Sequence, residues 1–149
     1  MNLGKMIAII NQNHDGAIVN VEKETNNLNI DVRIKYLAKH IDETYSLMKY
    51  KIINFIKIEF KFDDKTEYEE IDVVKKMGLI IYSAEVGKER SLLIKVRSTE
   101  NNYGKIHIWL DEQNDIKIYD QTDSEIEYDR FIRLCKKEPV KIPNSVKAE

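Results

Sequence analysis

The chain has 149 residues and a formal net charge of −2, with 34% charged residues and a single cysteine. A chain of this length is the size of one domain and buries roughly two thirds of its unfolded surface, so it needs no disulfide framework or structural metal. One cysteine also fits a reducing compartment. The apolar run at residues 6–10 is too short for a secretory core or a bilayer span. We expect a cytoplasmic protein with one domain over residues 1–138 and a flexible tail over 139–149.

The first half of the chain changes its hydrophobic period twice. Residues 3–21 suit either a helix or two short strands around a turn at residues 13–16. Apolar residues at steps of three and four then predict a helix over 31–49; they are Ile34, Leu37, Ile41, Tyr45 and Met48. Residues 56–62 alternate instead, which predicts a strand whose wet face carries Lys57, Glu59 and Lys61. The acidic residues that follow suit the first turn of a helix, and Gly78 suits its end, so a short helix is predicted over 67–77.

The second half is predicted to contain four strands in hairpin series and a closing helix. Residues 79–86 and 91–98 form the first two strands, and residues 105–121 form a hairpin that turns at 112–114. Capping-box spacing of Thr122 with Glu125, and of Ser124 with Glu127, marks the start of the last helix. The loops are too short for parallel crossovers. We therefore predict an α+β fold with a largely antiparallel sheet of about five strands and helices packed on one face.

The predicted hairpin places the only tryptophan on the polar side of the sheet. Leu110 would pair with Ile116, and Ile108 with Ile118, on the core face, which leaves Trp109 on the opposite face. The cations and aromatic residues that share that face are Lys95, Arg97, His107, Lys117 and Tyr119. Two interpretations stay open: Trp109 packs under another element, or it is a contact residue of an interface. A third hypothesis is that this face binds single-stranded nucleic acid by base stacking.

Catalytic motifs are weak. Glu59 and Lys61 have the E-x-K spacing of metal-dependent nucleases, with Asp72 or Glu85 as the second acid that such a site requires. The alternation of any wet strand face explains the same spacing. His14, His40 and His107 have no metal-ligand spacing, and Cys135 lies on the apolar face of the last helix, where a thiol acts as a small hydrophobe. We predict no catalytic residue, no metal and no cofactor.

Negative charge is concentrated in two segments. Residues 63–72 contain six acids against one lysine, and residues 111–129 contain eight acids against one lysine. If the two segments meet in space, they form an anionic surface that steers a cationic partner. The alternative is that both are ordinary solvated turns and helix starts.

The strand Tyr103-Gly104-Lys105-Ile106-His107-Ile108-Trp109, with the helix that carries Phe131 and Ile132, resembles the C-terminal part of SUKH-type bacterial immunity proteins. The resemblance covers residues 103–134, and the leucine-proline motif that usually follows the first helix of that group is absent. It implies a small α+β module that neutralises a toxin by binding it.

We expect a non-catalytic protein-binding module, most simply a toxin inhibitor of the immunity or antitoxin type, with a protein partner, no membrane contact and no cofactor. Its predicted partner-binding residues are the acids of both segments with Trp109 as an anchor: Asp63, Asp64, Glu67, Glu69, Glu70, Trp109, Asp111, Glu112 and Asp115. Single-stranded nucleic-acid binding and metal-dependent nuclease activity are the two alternatives.

Overall fold

The structure, a computed structural model, describes residues 2–63, 67–68, 78–98 and 102–136. Its helices are α1 (Leu3–Asn11), α2 (Lys35–Ala38) and α3 (Tyr128–Cys135), with a 3₁₀ turn at Lys88–Arg90. Its strands are β1 (Ala17–Glu24), β2 (Asn27–Arg33), β3 (Leu47–Phe62), β4 (Glu67–Tyr68), β5 (Leu79–Val86), β6 (Leu92–Arg97), β7 (Tyr103–Tyr119) and β8 (Glu125–Ile126). No helix within these ranges is long and apolar enough to cross a bilayer.

Six of the strands pair in a closed ring. The order is β1, β2, β3, β7, β6, β5 and back to β1, and each pairing is antiparallel. The short β4 and β8 add to β3 and β7. Since successive side chains of a strand point to opposite faces, one set fills the interior and the other faces outward. The predicted antiparallel sheet is confirmed, and it dominates the described residues, with eight strands where about five were expected.

The interior is one continuous apolar core. Inward-facing residues of every ring strand join it, for example Leu28, Ile30 and Val32 of β2, each 3% exposed or less. Helix α1 packs against β5, β6 and β7, and α3 contributes Phe131, whose ring meets that of Tyr50 edge-on at 6.2 Å. Complete burial of one such side chain stabilises the fold by about 1.5–3 kcal/mol. The helices thus pack on the core side of the sheet.

The segment predicted as a helix over 31–49 instead contains the end of β2, the four-residue α2 and the start of β3. That prediction was wrong because Leu28, Ile30 and Val32 alternate and are buried in β2, and the alternation overrides the three-and-four spacing that follows. The ambiguous first 21 residues contain both predicted types, a helix and then a strand. The strands predicted over 56–62, 79–86 and 91–98 are present within β3, β5 and β6.

The predicted hairpin at 112–114 was also wrong, because β7 is a single bent strand. Both of its halves pair with β3: Leu110 lies opposite Phe55, and Ile116 lies opposite Ile52. The extra residues form a bulge, in which the Asp111 carboxylate accepts a hydrogen bond from the backbone N–H of Gln113 at 3.1 Å. Ile108, Ile116 and Ile118 nevertheless face the core as predicted. The local alternation predicted which residues face the core. The pairing with β3 determined that this segment is one strand and not a hairpin.

Two helix boundaries also differ from the sequence prediction. The last helix begins at Tyr128 with no side-chain cap, and Asp120 Oδ1 accepts hydrogen bonds from Thr122 and Ser124 instead of the predicted capping box. Glu125 then lies in β8. Of the helix predicted over 67–77, Glu67 and Tyr68 form β4, and the rest lies outside the described residues, as does the tail predicted over 139–149.

Candidate functional site: a lysine row between two aromatic pairs

Three lysines lie side by side on the outward face of three neighbouring strands. Lys105 of β7 is opposite Lys61 of β3 on one side and opposite Lys95 of β6 on the other. All three side chains are exposed, and neighbouring strands are about 4.8 Å apart. Like charges directly opposite each other destabilise a sheet. We call Lys61, Lys95 and Lys105 the lysine row.

One aromatic pair borders the lysine row on the β7 side nearest the bulge. Trp109 is half-buried and stacks on His107, with ring centroids 4.7 Å apart and an interplanar angle of 25°. Lys57, opposite Trp109 on β3, places its Nζ atom 5.2 Å from the indole centroid. Lys57 is also paired with Glu59 at 3.3 Å. Trp109 is therefore partly covered by His107 and Lys57, and some of its surface stays exposed.

A second aromatic pair borders the lysine row at the other end. Tyr103 of β7 and Tyr82 of β5 are stacked nearly in parallel, with centroids 5.6 Å apart and an angle of 5°. Their hydroxyl groups are 3.3 Å apart, and this hydrogen bond raises the pKa of Tyr103. Tyr103 is 46% exposed and lies opposite Arg97 of β6. The outward face of β7 thus carries Tyr103, Lys105, His107 and Trp109 in succession.

A shallow hollow of about 240 Å³ opens between the lysine row and Trp109. Its lining is strongly cationic and consists of Glu59, Lys61, Lys88, Lys105, His107 and Trp109. Three lysines against one carboxylate create a positive potential, which a concave surface concentrates. The volume is below that of sites that enclose a drug-sized ligand, so the hollow suits one group of a larger ligand.

His107 is positioned by close packing beneath the hollow. Its Nε2 atom and the Oγ atom of Ser91 are buried and have no hydrogen-bond partner among the described residues. Both atoms lie against Gly87, where a Cβ atom would overlap them. Burial lowers the pKa of His107, and the nearby Lys88 and Lys105 lower it further against the opposing effect of Glu59. His107 therefore contributes a neutral, stacked ring at pH 7.

The acidic residues predicted to form one surface are spread along the β3–β7 ladder. Asp63 is exposed just beyond the Phe62–Gly104 end, and its backbone N–H donates to the Tyr103 carbonyl oxygen. Asp111 and Glu112 are exposed beyond the Phe55–Leu110 end, roughly 23 Å away at about 3.3 Å per residue. The structure therefore does not bring Asp63 to the second segment.

The remaining predicted partner residues give less information. Asp115 is half-buried and pairs with Lys5 of α1 at 3.1 Å. Glu67 of β4 lies opposite Lys61 of β3, at the end of the lysine row, and Asp64, Glu69 and Glu70 lie outside the described residues.

Lys117 and Tyr119, predicted to share the face of Trp109, lie beyond the bulge, farther along the same β3–β7 pairing. They are opposite Lys51 and Lys49 of β3. Tyr119 there lines a polar groove of about 340 Å³, in which Lys49 pairs with Asp123 at 2.9 Å and Lys51 with Glu24 at 3.4 Å. This groove is larger than the hollow, and Lys49 and Lys51 within it each pair with a carboxylate.

The nuclease alternative loses one of its expected ligands. Glu59 and Glu85 lie in the same outward row but three strands apart, which corresponds to roughly 14 Å. Two ligands of one Mg²⁺ must each lie about 2.1 Å from the ion. Glu85 instead pairs with Lys95 at 2.9 Å. The described residues contain no group of three His, Cys, Asp or Glu that could hold a metal ion, and Asp72 lies outside them.

The sequence prediction missed Lys105, Lys88, Tyr103 and Tyr82 as site residues. Tyr103 and Lys105 share the odd-numbered alternation of His107 and Trp109, so the signal was present in the sequence. Lys88 and Tyr82 join the face only through the turn and the bulge of β5, which carry no such pattern. Cys135 packs against the core as predicted, and burial raises the pKa of its thiol to about 11.

Comparison with protein-family models, with curated proteins and with solved structures gives no match.

Proposed function

We propose that this chain is a non-catalytic binding domain that recognises a polyanion through the lysine row and the hollow beside it. The observation that carries the proposal is the placement of Lys61, Lys105 and Lys95 in one register row on adjacent strands. Glu67 of β4 lies opposite Lys61 and Glu85 pairs with Lys95, so the like-charge repulsion that a bound anion would relieve is centred on Lys105. Phosphate groups are the natural partners of such a row, since lysine binds them as a point charge.

The geometry also explains why the site is better suited to binding than to catalysis. His107, the only residue of the hollow that could exchange a proton near neutral pH, has its Nε2 atom buried rather than exposed to a ligand. Glu59 is already paired with Lys57. The hollow thus offers charge and ring surface to a ligand, and neither of these is a nucleophile.

The test is titration of the protein with long-chain inorganic polyphosphate in a calorimeter at several salt concentrations. Binding should be tight at about 50 mM salt and should weaken linearly on a double-logarithmic plot as counterion release predicts. Lys105→Glu should weaken polyphosphate binding strongly, whereas Lys117→Glu, beyond the bulge of β7, should not. Equal effects of the two substitutions, or no binding at low salt, would refute the proposal.

The second candidate is the toxin inhibitor that the resemblance of residues 103–134 implies. The observation that favours a protein partner is Ile56, which is 66% exposed in β3 beside Lys57, close to the exposed Asp111 and Glu112. An apolar contact next to acids suits a basic protein surface. Its test is binding to the product of the adjacent gene: Glu112→Lys should slow association at low salt and leave the melting temperature unchanged. An unaltered association rate would remove this surface from consideration.

A further inference from the structure

We infer that the polyanion is a single-stranded nucleic acid, whose bases stack at the Trp109–His107 pair and at the Tyr103–Tyr82 pair while its phosphates cross the lysine row. This inference rests on the proposed function and identifies the partner of the same surface. It follows from the order of side chains along one strand, in which ring, cation and ring alternate at two-residue steps. Proteins that bind single strands without sequence preference combine these two elements, a positive groove and aromatic stacking surfaces.

The Trp109 end is built to accept a base. The indole already stacks on His107, the preceding outward-facing residue of β7, and this contact restricts the orientation of the ring. The group that a base must displace is the Lys57 ammonium, 5.2 Å from the indole centroid. The Lys57 side chain is 55% exposed and held by one ion pair with Glu59, so its displacement requires little energy. The displaced ammonium remains close enough to contact a phosphate.

Tyr103 supplies the second stacking surface, on the same face of β7 as Trp109. Tyr103 and Trp109 are six residues apart on the same face of β7, which corresponds to roughly 20 Å. This span suits a short oligonucleotide of about four nucleotides, the lower end of the range for single-strand sites. The lysine row crosses β7 between the two pairs at Lys105. Arg97, opposite Tyr103, adds a further cation near the second base.

The same features select against a duplex and against a plain polyanion. In a duplex the bases are stacked on each other, and their faces cannot reach Trp109 or Tyr103. Polyphosphate and poly-L-glutamate carry charge without rings, so they use the lysine row alone. The aromatic pairs therefore predict a preference for single-stranded nucleic acid over each of these at equal charge.

The experiment uses the fluorescence of Trp109, which is the only tryptophan of the chain. The full chain is titrated with a ten-nucleotide oligo-dT, the corresponding oligo-U, a duplex of the same length, polyphosphate and poly-L-glutamate. Single strands should quench the emission and bind more tightly than the other three probes. Tyr103→Ala should weaken oligo-dT binding by roughly 5- to 150-fold, as for loss of one base–aromatic stack. The matched control is Tyr119→Ala, on the same strand beyond the bulge.

In calorimetric titrations, which do not depend on the indole fluorophore, Trp109→Phe keeps a ring for stacking and should retain most of the affinity, whereas Trp109→Ala should lose as much as Tyr103→Ala. If Trp109→Ala fails to fold, Tyr103→Ala decides the matter, because its side chain is largely exposed. Binding of polyphosphate or poly-L-glutamate as tightly as oligo-dT, without a stacking effect, would overturn the inference and leave the proposed function standing. Failure of every polyanion to bind would overturn both.

Discussion

The most informative single substitution is Lys105→Glu, because it should stabilise the fold while it removes function. Lys105 lies between Lys61 and Lys95, so the substitution converts two repulsive cross-strand pairs into two attractive ones. A stabilising effect of removing a residue would indicate that the lysine row is retained for binding and not for folding.

The magnitude follows from the register. Directly opposed charges contribute roughly 0.2–1 kcal/mol per pair, with the sign set by whether they are like or unlike. All three side chains are exposed, and Glu59, two residues along β3 from Lys61, repels a new carboxylate. We therefore expect a net gain of about 1 kcal/mol in the free energy of unfolding at low salt. For a chain of this size, such a gain raises the melting temperature by about 2–4 °C.

The assay is thermal unfolding at about 20 mM and 1 M salt, paired with polyphosphate titration of the same samples. The gain should shrink at high salt, where charges more than about 3 Å apart are screened. Lys105→Gln removes the repulsion without adding attraction, and should give about half the gain. A melting temperature that falls, or that rises equally at both salt concentrations, would contradict the electrostatic account of the lysine row.

Three further predictions address the core, the hollow and the turn before α3. Tyr50→Phe should lower the free energy of unfolding by about 1–3 kcal/mol in urea titrations, because it leaves the buried Asn13 Oδ1 without the hydroxyl that donates to it at 2.7 Å; Tyr119→Phe is the control. Because burial lowers the pKa of His107 below its ordinary value of 6.5, the unfolded chain binds more protons than the folded one just below that pH. Stability should therefore fall on acidification from pH 7 through this window, and His107→Asn should remove that part of the slope while His14→Asn retains it. Asp120→Ala should destabilise the chain by about 1 kcal/mol, seen as a lower urea midpoint, because it removes the Oδ1 atom that accepts hydrogen bonds from Thr122 and Ser124; equal stability of the variant would mean that water replaces these bonds.

Individual strands and neighbouring strand pairs could be predicted, because the alternation of buried and exposed residues is a local sequence pattern. The strand over 56–62, the β5–β6 pair and the outward orientation of Trp109 all follow from a two-residue period. The partially exposed state of Trp109 could not be predicted, since it depends on His107 beneath it and on Lys57 of another strand.

Pairing between distant segments was beyond the local pattern. β3 is 16 residues long and provides the partner for both halves of β7, so the short turn expected at 112–114 becomes a bulge. The same long-range pairing brings Lys61 beside Lys105. The lysine row therefore could not be predicted from the sequence, because it depends on which strands pair. Ring closure through only two residue pairs of β1 and β5 is equally nonlocal.

A net charge of −2 disfavours a polyanion partner at long range, but it does not determine binding at this surface. Screening limits the reach of exposed charges to about 10 Å at 0.1 M salt. Asp111 is six residues from Lys105 along β7, or roughly 20 Å, so the acids of that segment and those beyond the bulge act weakly at the lysine row. Of the acids near the lysine row, Glu59 pairs with Lys57 and Glu85 with Lys95, and Glu67 of β4 lies opposite Lys61. At Lys105 both opposing residues are lysines, so a ligand that approaches this position meets a cationic centre whatever the sum over the chain.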